Sequence, residues 1–246
     1  MLRLAAALAL VPALAQAGAW TLAPGAAFLS AGASYYANDA GTFEQVSAAT
    51  FFEYGLREGL TLGGSLEGDF PVGVASGQSA RGALTLHARR RLWVGEQGDP
   101  FSVQLGAVLP VGDLVDTGQA QIDGERALDA RALYGRGFAT GRGDAFVDLQ
   151  GGFRLRFDDG ADEIRVDLTA GVRPAPRWLL MLQSFNTVGL RNPDPGGQDF
   201  DVYKLAPAVG YELFDGVTVV LGGEREIAGR NIDRGWRVRA AVWTTF

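Results

Sequence analysis

Cysteine is absent from the 246 residues, histidine occurs once, at His87, and lysine once, at Lys204. No disulfide framework is possible, so a small stapled fold is excluded. A zinc site of the usual Cys and His ligands has nothing to build on. After the first residues no stretch approaches the ~18 consecutive apolar residues of a spanning helix. Helical periodicity is scarce too, because glycine falls every few residues. The net charge is −6, which argues against a nucleic-acid partner.

What the chain has in excess is glycine, 35 residues of 246, about twice the usual share of roughly 7%. At 47% hydrophobic residues it is too apolar for disorder. It opens on MLRLAAALALVPALAQAGAW, with Arg3 ahead of an apolar run from Leu4 to Leu14 and small residues at Ala15-Gln16-Ala17. That is the pattern of a secretory signal peptide. Residues 1–17 are expected to be removed, leaving residues 18–246 as one exported domain.

Alternation with a period of two, the mark of a strand, fills the rest. It runs over Ala26–Tyr36, Phe43–Arg57, Leu60–Phe70, Ser79–Val94, Phe101–Val111 and Arg126–Phe138. It continues over Ala145–Phe157, Glu163–Arg173, Arg177–Gly189, Asp201–Leu213, Val217–Ile227 and the terminal Trp236–Phe246. Three places resist. Leu179 and Met181 oppose Trp178 and Leu180, so both faces of that strand are apolar and one is expected to pack an inner plug. Pro207 removes a ladder donor from its strand. Arg225 shares a face with Val217, Val219 and Leu221, and a bulge at Gly222-Gly223 is the expected device for re-aiming it.

About twelve segments of roughly ten residues suit a bacterial membrane barrel, which has an even strand number. A soluble sandwich alternates as well, and three features separate the two. Links of odd rank (Ala37–Thr42, Pro71–Gln78, Gly112–Glu125, Asp158–Asp162, Leu190–Phe200, Ala228–Asp233) are mostly longer than those between them. The shorter set is Glu58-Gly59, Gly95–Pro100, Ala139–Asp144, Pro174–Pro176 and Phe214–Gly216. Membrane barrels show this asymmetry of periplasmic turns and outer loops.

Aromatic residues also gather at strand ends. Tyr54, Trp93, Phe101, Trp178, Tyr211 and Phe246 fall at one side, and Tyr35, Phe43, Phe70, Phe157, Tyr203 and Trp236 at the other. Two interfacial girdles are the expected meaning. Finally, the polar faces carry too much charge for a dry core. If they faced outward water instead, twelve strands would close around a wide apolar void. The expected fold is therefore all-β, a transmembrane antiparallel up-and-down β-barrel of about twelve strands.

The chain ends on RGWRVRAAVWTTF, alternating to a final aromatic residue. This resembles the C-terminal signature of Gram-negative outer-membrane barrels. The resemblance implies a place in the outer membrane and recognition by the barrel assembly machinery through Trp236, Val238, Val242 and Phe246. The hairpin EYGLREGLTLGGSLEG, Glu53 to Gly68, also resembles one in a family of outer-membrane transporters linked to phenol degradation.

The inward charges are the candidate site. Glu53, Glu67, His87, Arg89, Arg91, Asp129, Arg131, Asp148, Arg154, Arg156, Arg165, Asp167, Arg237 and Arg239 are expected to line the lumen. One reading is a narrow passive channel for small polar, anionic or zwitterionic solutes. Others are a salt-bridged, non-conducting structural or surface-interaction barrel, and a lipid-modifying enzyme. The serine and histidine that outer-membrane phospholipases place close together have no counterpart in LTLHARRR, so His87 is read as wall lining rather than catalytic.

The carboxylates Asp158, Asp159, Asp162 and Glu163, and separately Asp194, Asp199 and Asp201, lack the spacing of a calcium loop. They are expected to be solvated, with divalent ions bridging them to lipopolysaccharide phosphates. No cofactor and no metal are expected. The partners are outer-membrane lipid and lipopolysaccharide, the assembly machinery, and a small solute.

Overall fold

In the computed structural model, which describes residues 18–73, 76–77, 80–113, 126–141 and 143–246, twelve antiparallel strands close into one barrel. They are β1 (Ala27–Asn38), β2 (Glu44–Arg57), β3 (Leu60–Val72), β4 (Arg81–Val94), β5 (Pro100–Asp113) and β6 (Ala127–Thr140). The circuit continues with β7 (Gly143–Arg156), β8 (Glu163–Val172), β9 (Trp178–Gly189), β10 (Asp201–Phe214), β11 (Val217–Arg230) and β12 (Gly235–Thr245). Each strand pairs with its chain neighbours, and β12 closes on β1 from Phe28↔Thr245 to Asn38↔Gly235. Closure leaves no unpaired sheet edge, the condition for spanning hydrocarbon with strands. The expected leader 1–17, Ser79, Arg142 and residues 114–125 of the longest link lie outside the described residues.

Strand parity sorts the side chains. Leu62, Leu66, Leu86, Leu105, Leu128, Leu149, Leu168, Leu180 and Leu221 are exposed on the outside, while Glu53, Arg89, Asp129, Asp148 and Arg154 are buried on the inside. This inverts the usual order, in which charged residues are almost never fully buried. Hydrocarbon against the outer face reconciles the two.

The links follow the expected division in part. β6 and β7 pair as far as Thr140↔Gly143, so the six-residue link expected at Ala139–Asp144 shrinks to a tight turn. At the turns Glu58-Gly59 and Asp215-Gly216, the glycines adopt φ of 67° and 78°. A side chain is disfavoured in that region, and tight hairpins need it. The two-residue links 58–59, 141–142 and 215–216 all lie at one end, here the turn end, and the long link 190–200 lies at the other, the loop end, although 231–234 at the loop end is shorter than 95–99 and 173–177 at the turn end.

Three local expectations need correction or refinement. The bulge in β11 falls where Tyr203↔Ala228 gives way to Lys204↔Glu226, not at Gly222-Gly223. Arg225 therefore stays on the outer face near the loop end, where both guanidinium nitrogens donate to the Asp39 carboxylate at 2.6 and 2.7 Å. Phe43 leaves the outer aromatic row, its ring packing 6.1 Å from inward-facing Tyr36. At the turn end, a bulge between Arg91 and Trp93 puts Leu92 and Trp93 both outside, 59% and 55% exposed. That is how Trp93 reaches its girdle.

Residues 18–26 precede β1 and enter the lumen. Ala19 and Leu22 bond to β7, β5 and β3, and Gly55 N–H donates to Ala26 O at 2.9 Å where the segment joins the wall. The apolar inner face of β9, Leu179 and Met181, joins a buried cluster with Phe146, Ala208 and Val220, against which this segment's Trp20 packs. An inner plug therefore exists, built from the chain's own N-terminal side.

Candidate functional site

The lumen has three tiers. At the turn end Phe146, Leu179, Met181, Ala208 and Val220 form a buried cluster, with Trp20 and Trp243 packed against it. Trp20 stands edge-on to Phe146 at 6.3 Å. Gly135 supplies its room, since a Cβ there would lie 2.5 Å from the indole. Phe28 links Trp243 at 6.2 Å and Phe51 at 5.9 Å. Polar groups hold the segment between these rings. Ala19 N–H donates to Asp148 Oδ2 at 2.7 Å, the Ser102 hydroxyl donates to Ala19 O, and Leu22 N–H donates to Thr61 Oγ1 at 2.9 Å.

The middle tier is ionic. Glu53, 1% exposed, accepts from Arg89 at 2.6 Å and contacts His87 Nε2 at 3.2 Å. Phe51 stacks on the imidazole at 5.9 Å. On the neighbouring wall Arg131 bonds Asp129 at 2.6 Å and Asp167 at 2.9 Å, skipping over β7. Arg154 reaches the same Asp129 at 3.1 Å. Arg239 crosses from β12 to Gln183 of β9. A buried ion is tolerated only when paired and hydrogen-bonded, and these groups satisfy that in chains rather than in isolated pairs.

At the loop end the charges face a cavity of about 520 Å³. It is lined by Glu67, Asp69, Arg81, Arg156, Asp158, Asp159, Glu163, Arg165 and Phe200 among others. Arg156 bridges Asp158 at 2.7 Å and Glu163 at 3.1 Å, and Arg165 shares Glu163 at 3.1 Å. The hydrogen bond from Arg156 beside Asp158 holds that loop carboxyl below its ordinary value. On the far wall Arg237 contacts Ser34, Ser47 and Glu224, and lies 5.6 Å over the Tyr36 ring.

The expected lining residues thus separate. Glu53, His87, Arg89, Asp129, Arg131, Asp148, Arg154 and Asp167 form the inner and middle wall, most of them spent on one another. Glu67, Arg156 and Arg165 face the cavity, Arg237 stands on the far wall, and Arg239 belongs to the middle tier through Gln183. Arg91 is a correction: it turns away from the lumen to Glu58 in the turn after β2, at 3.2 Å, because the wall ends there.

The loop carboxylates are corrected as well. Asp158 and Glu163 are taken by Arg156, and Asp199 and Asp201 by Arg191 and Arg230. Asp162 receives the Arg156 amide and Asn192. These five are tied to neighbouring groups, Asp162 linking the loop of residues 157–162 to that of 190–200 through Asn192, while Asp159 and Asp194 are exposed as expected. Among the described residues, no group of three or more His, Asp and Glu could hold a metal ion. Sequence reasoning passed over Trp20, Thr61 and Ser102. Trp20 lies outside any periodic segment, and two inward hydroxyls carry no pattern of their own.

This is the fold of outer-membrane β-barrels. The chain is similar to an outer membrane channel from Pseudomonas putida F1, with 17% identity and a TM-score of 0.70 over 94% of this chain and 99% of that one. It is also similar to the KdgM porin (12% identity, TM-score 0.54, 88% and 99% covered) and the NanC porin (10%, 0.56, 88% and 98%). No protein-family model matches the chain, and no curated protein matches it either.

Proposed function

We propose that the protein is a passive channel of the Gram-negative outer membrane for small polar solutes, with its turn end in the periplasm and its loop end outside. The carrying observation is a charge-lined cavity of about 520 Å³ within a closed barrel whose outer skin is leucine, valine and aromatic. The names of the similar barrels, a channel and two porins, support the reading. The vestibule sets Arg81, Arg156 and Arg165 against Glu67, Asp69, Asp158, Asp159 and Glu163. Both signs are present with acids in excess, which suits zwitterions better than simple anions.

Planar-bilayer recording tests this: discrete conductance steps are expected, and a silent bilayer would overturn it. Arg156→Glu should move the reversal potential toward cations. Arg154→Glu should instead weaken the wall, since Arg154 is tied to Asp129.

A second reading is a non-conducting structural or surface-interaction barrel. The Trp20 cluster favours it, because it fills the turn end of the lumen. The lipid-modifying enzyme is the weakest reading: His87 is held between Glu53 and Phe51 with 5% of its side chain exposed. Lipase activity lost on His87→Ala would raise it.

A further inference from the structure

Asp148 is 2% exposed, and its two partners are neutral donors, the Ala19 amide at 2.7 Å and the Gln150 side-chain amide at 2.8 Å. Glu53, Asp129 and Glu163, buried in the same lumen, each hold an arginine. Among the described residues no guanidinium or ammonium pairs with Asp148. A buried carboxylate whose hydrogen-bond donors are all neutral is stabilised by a cation placed beside it.

The neighbour that could supply one is Gly18. A Cβ on Gly18 would overlap the Asp148 carboxylate, so its Cα already lies against it, and its nitrogen is one bond of about 1.46 Å away. Gly18 is buried, Ala19 is 0% exposed, and the Ser102 hydroxyl fixes the Ala19 carbonyl.

We propose that Asp148 is the counter-ion of the α-ammonium created on Gly18 when residues 1–17 are removed, and that this pair locks Trp20 into the lumen. The proposal rests on the outer-membrane reading above together with the removal of residues 1–17 expected from the sequence. Cleavage hydrolyses the Ala17–Gly18 peptide bond. Water supplies the hydroxyl of the new Ala17 carboxyl group and a hydrogen to the Gly18 nitrogen, which takes up a further proton and becomes the ammonium. Before cleavage the same nitrogen is a neutral amide and brings no charge to Asp148. Closure of the turn end is therefore coupled to export. Glycine is needed at position 18 because a side chain would displace the carboxylate.

Two primary amines exist in the chain from Gly18 onward, the Gly18 α-amine and Lys204, so acylation by a succinimidyl ester at neutral pH can be assigned by peptide mass. In detergent-solubilised, folded protein the Gly18 amine should label at least about tenfold more slowly than in the urea-unfolded chain. Asp148→Asn should restore most of the lost rate, with Lys204 as internal control. Equal rates in folded and unfolded protein, protection unchanged by Asp148→Asn, or a mature terminus other than Gly18 would each overturn the proposal. Should Asp148→Asn fail to fold, the unsubstituted protein decides alone. Conductance enters none of these outcomes, so loss of the channel reading would leave them interpretable.

Discussion

Trp20 illustrates how one side chain outside the strands can reach into the barrel. It stands edge-on to Phe146 and packs against the apolar cluster that includes Leu179 and Met181, so the turn end of the lumen is lined by packing rather than by charge. Trp20→Ala should raise single-channel conductance and remove about 2–3 kcal/mol of stability, read from bilayer recordings and thermal melting in detergent. Unchanged conductance would mean that the narrowest point lies elsewhere. The ionic residues behave differently. Glu53 and Asp129 each serve two partners, and removing either acid strands an arginine in a wall where isolated charge is costly.

At the scale of the element, β12 presents Trp236, Val238, Val242 and Phe246 outward, at 41%, 51%, 46% and 74% exposure. Tyr35 packs against Trp236 at 5.7 Å across the closing seam. Deleting Phe246 should lower the yield of heat-modifiable, folded barrel in the outer membrane while leaving the refolded protein's conductance intact. Normal membrane yield would overturn the expectation that Phe246 is an assembly signal.

The loop of residues 157–162 carries a pH dependence. Its Asp158 carboxyl is held below the ordinary value of 3.8 by the hydrogen bond from Arg156. A depressed carboxylate contributes stability above the unfolded value, and that stability is lost as pH falls through the folded value. Amide exchange in this loop should therefore accelerate only below about pH 4. An onset near neutrality would implicate another group.

For the whole molecule, the decisive property is an apolar outside around a charged inside. Without detergent or lipid, the mature chain should aggregate. A monodisperse, detergent-free monomer in sedimentation analysis would contradict the membrane reading. The closed circuit also explains why charge inside is tolerated: ion pairs such as Arg131 to Asp167 bridge strands two apart, which ties the wall together where no core exists to do so.

The amino-acid sequence by itself determined a strand number of about twelve, the outward face of most strands and the bulk of the inward charge. These follow from a period of two, which is local and survives without knowledge of any neighbour. The β9 strand marks the edge of that legibility, because Leu179 and Met181 announced an inner contact but not its partner. Only the tertiary structure placed them in a cluster with Phe146, Ala208 and Val220 and set Trp20 against it. It also decided which charges face the cavity and which neutralise one another, and that Arg91 leaves the lumen. Those contacts depend on bulges, on register and on a segment threaded across the bore, and each is set by closure of the cylinder rather than by any one stretch of chain.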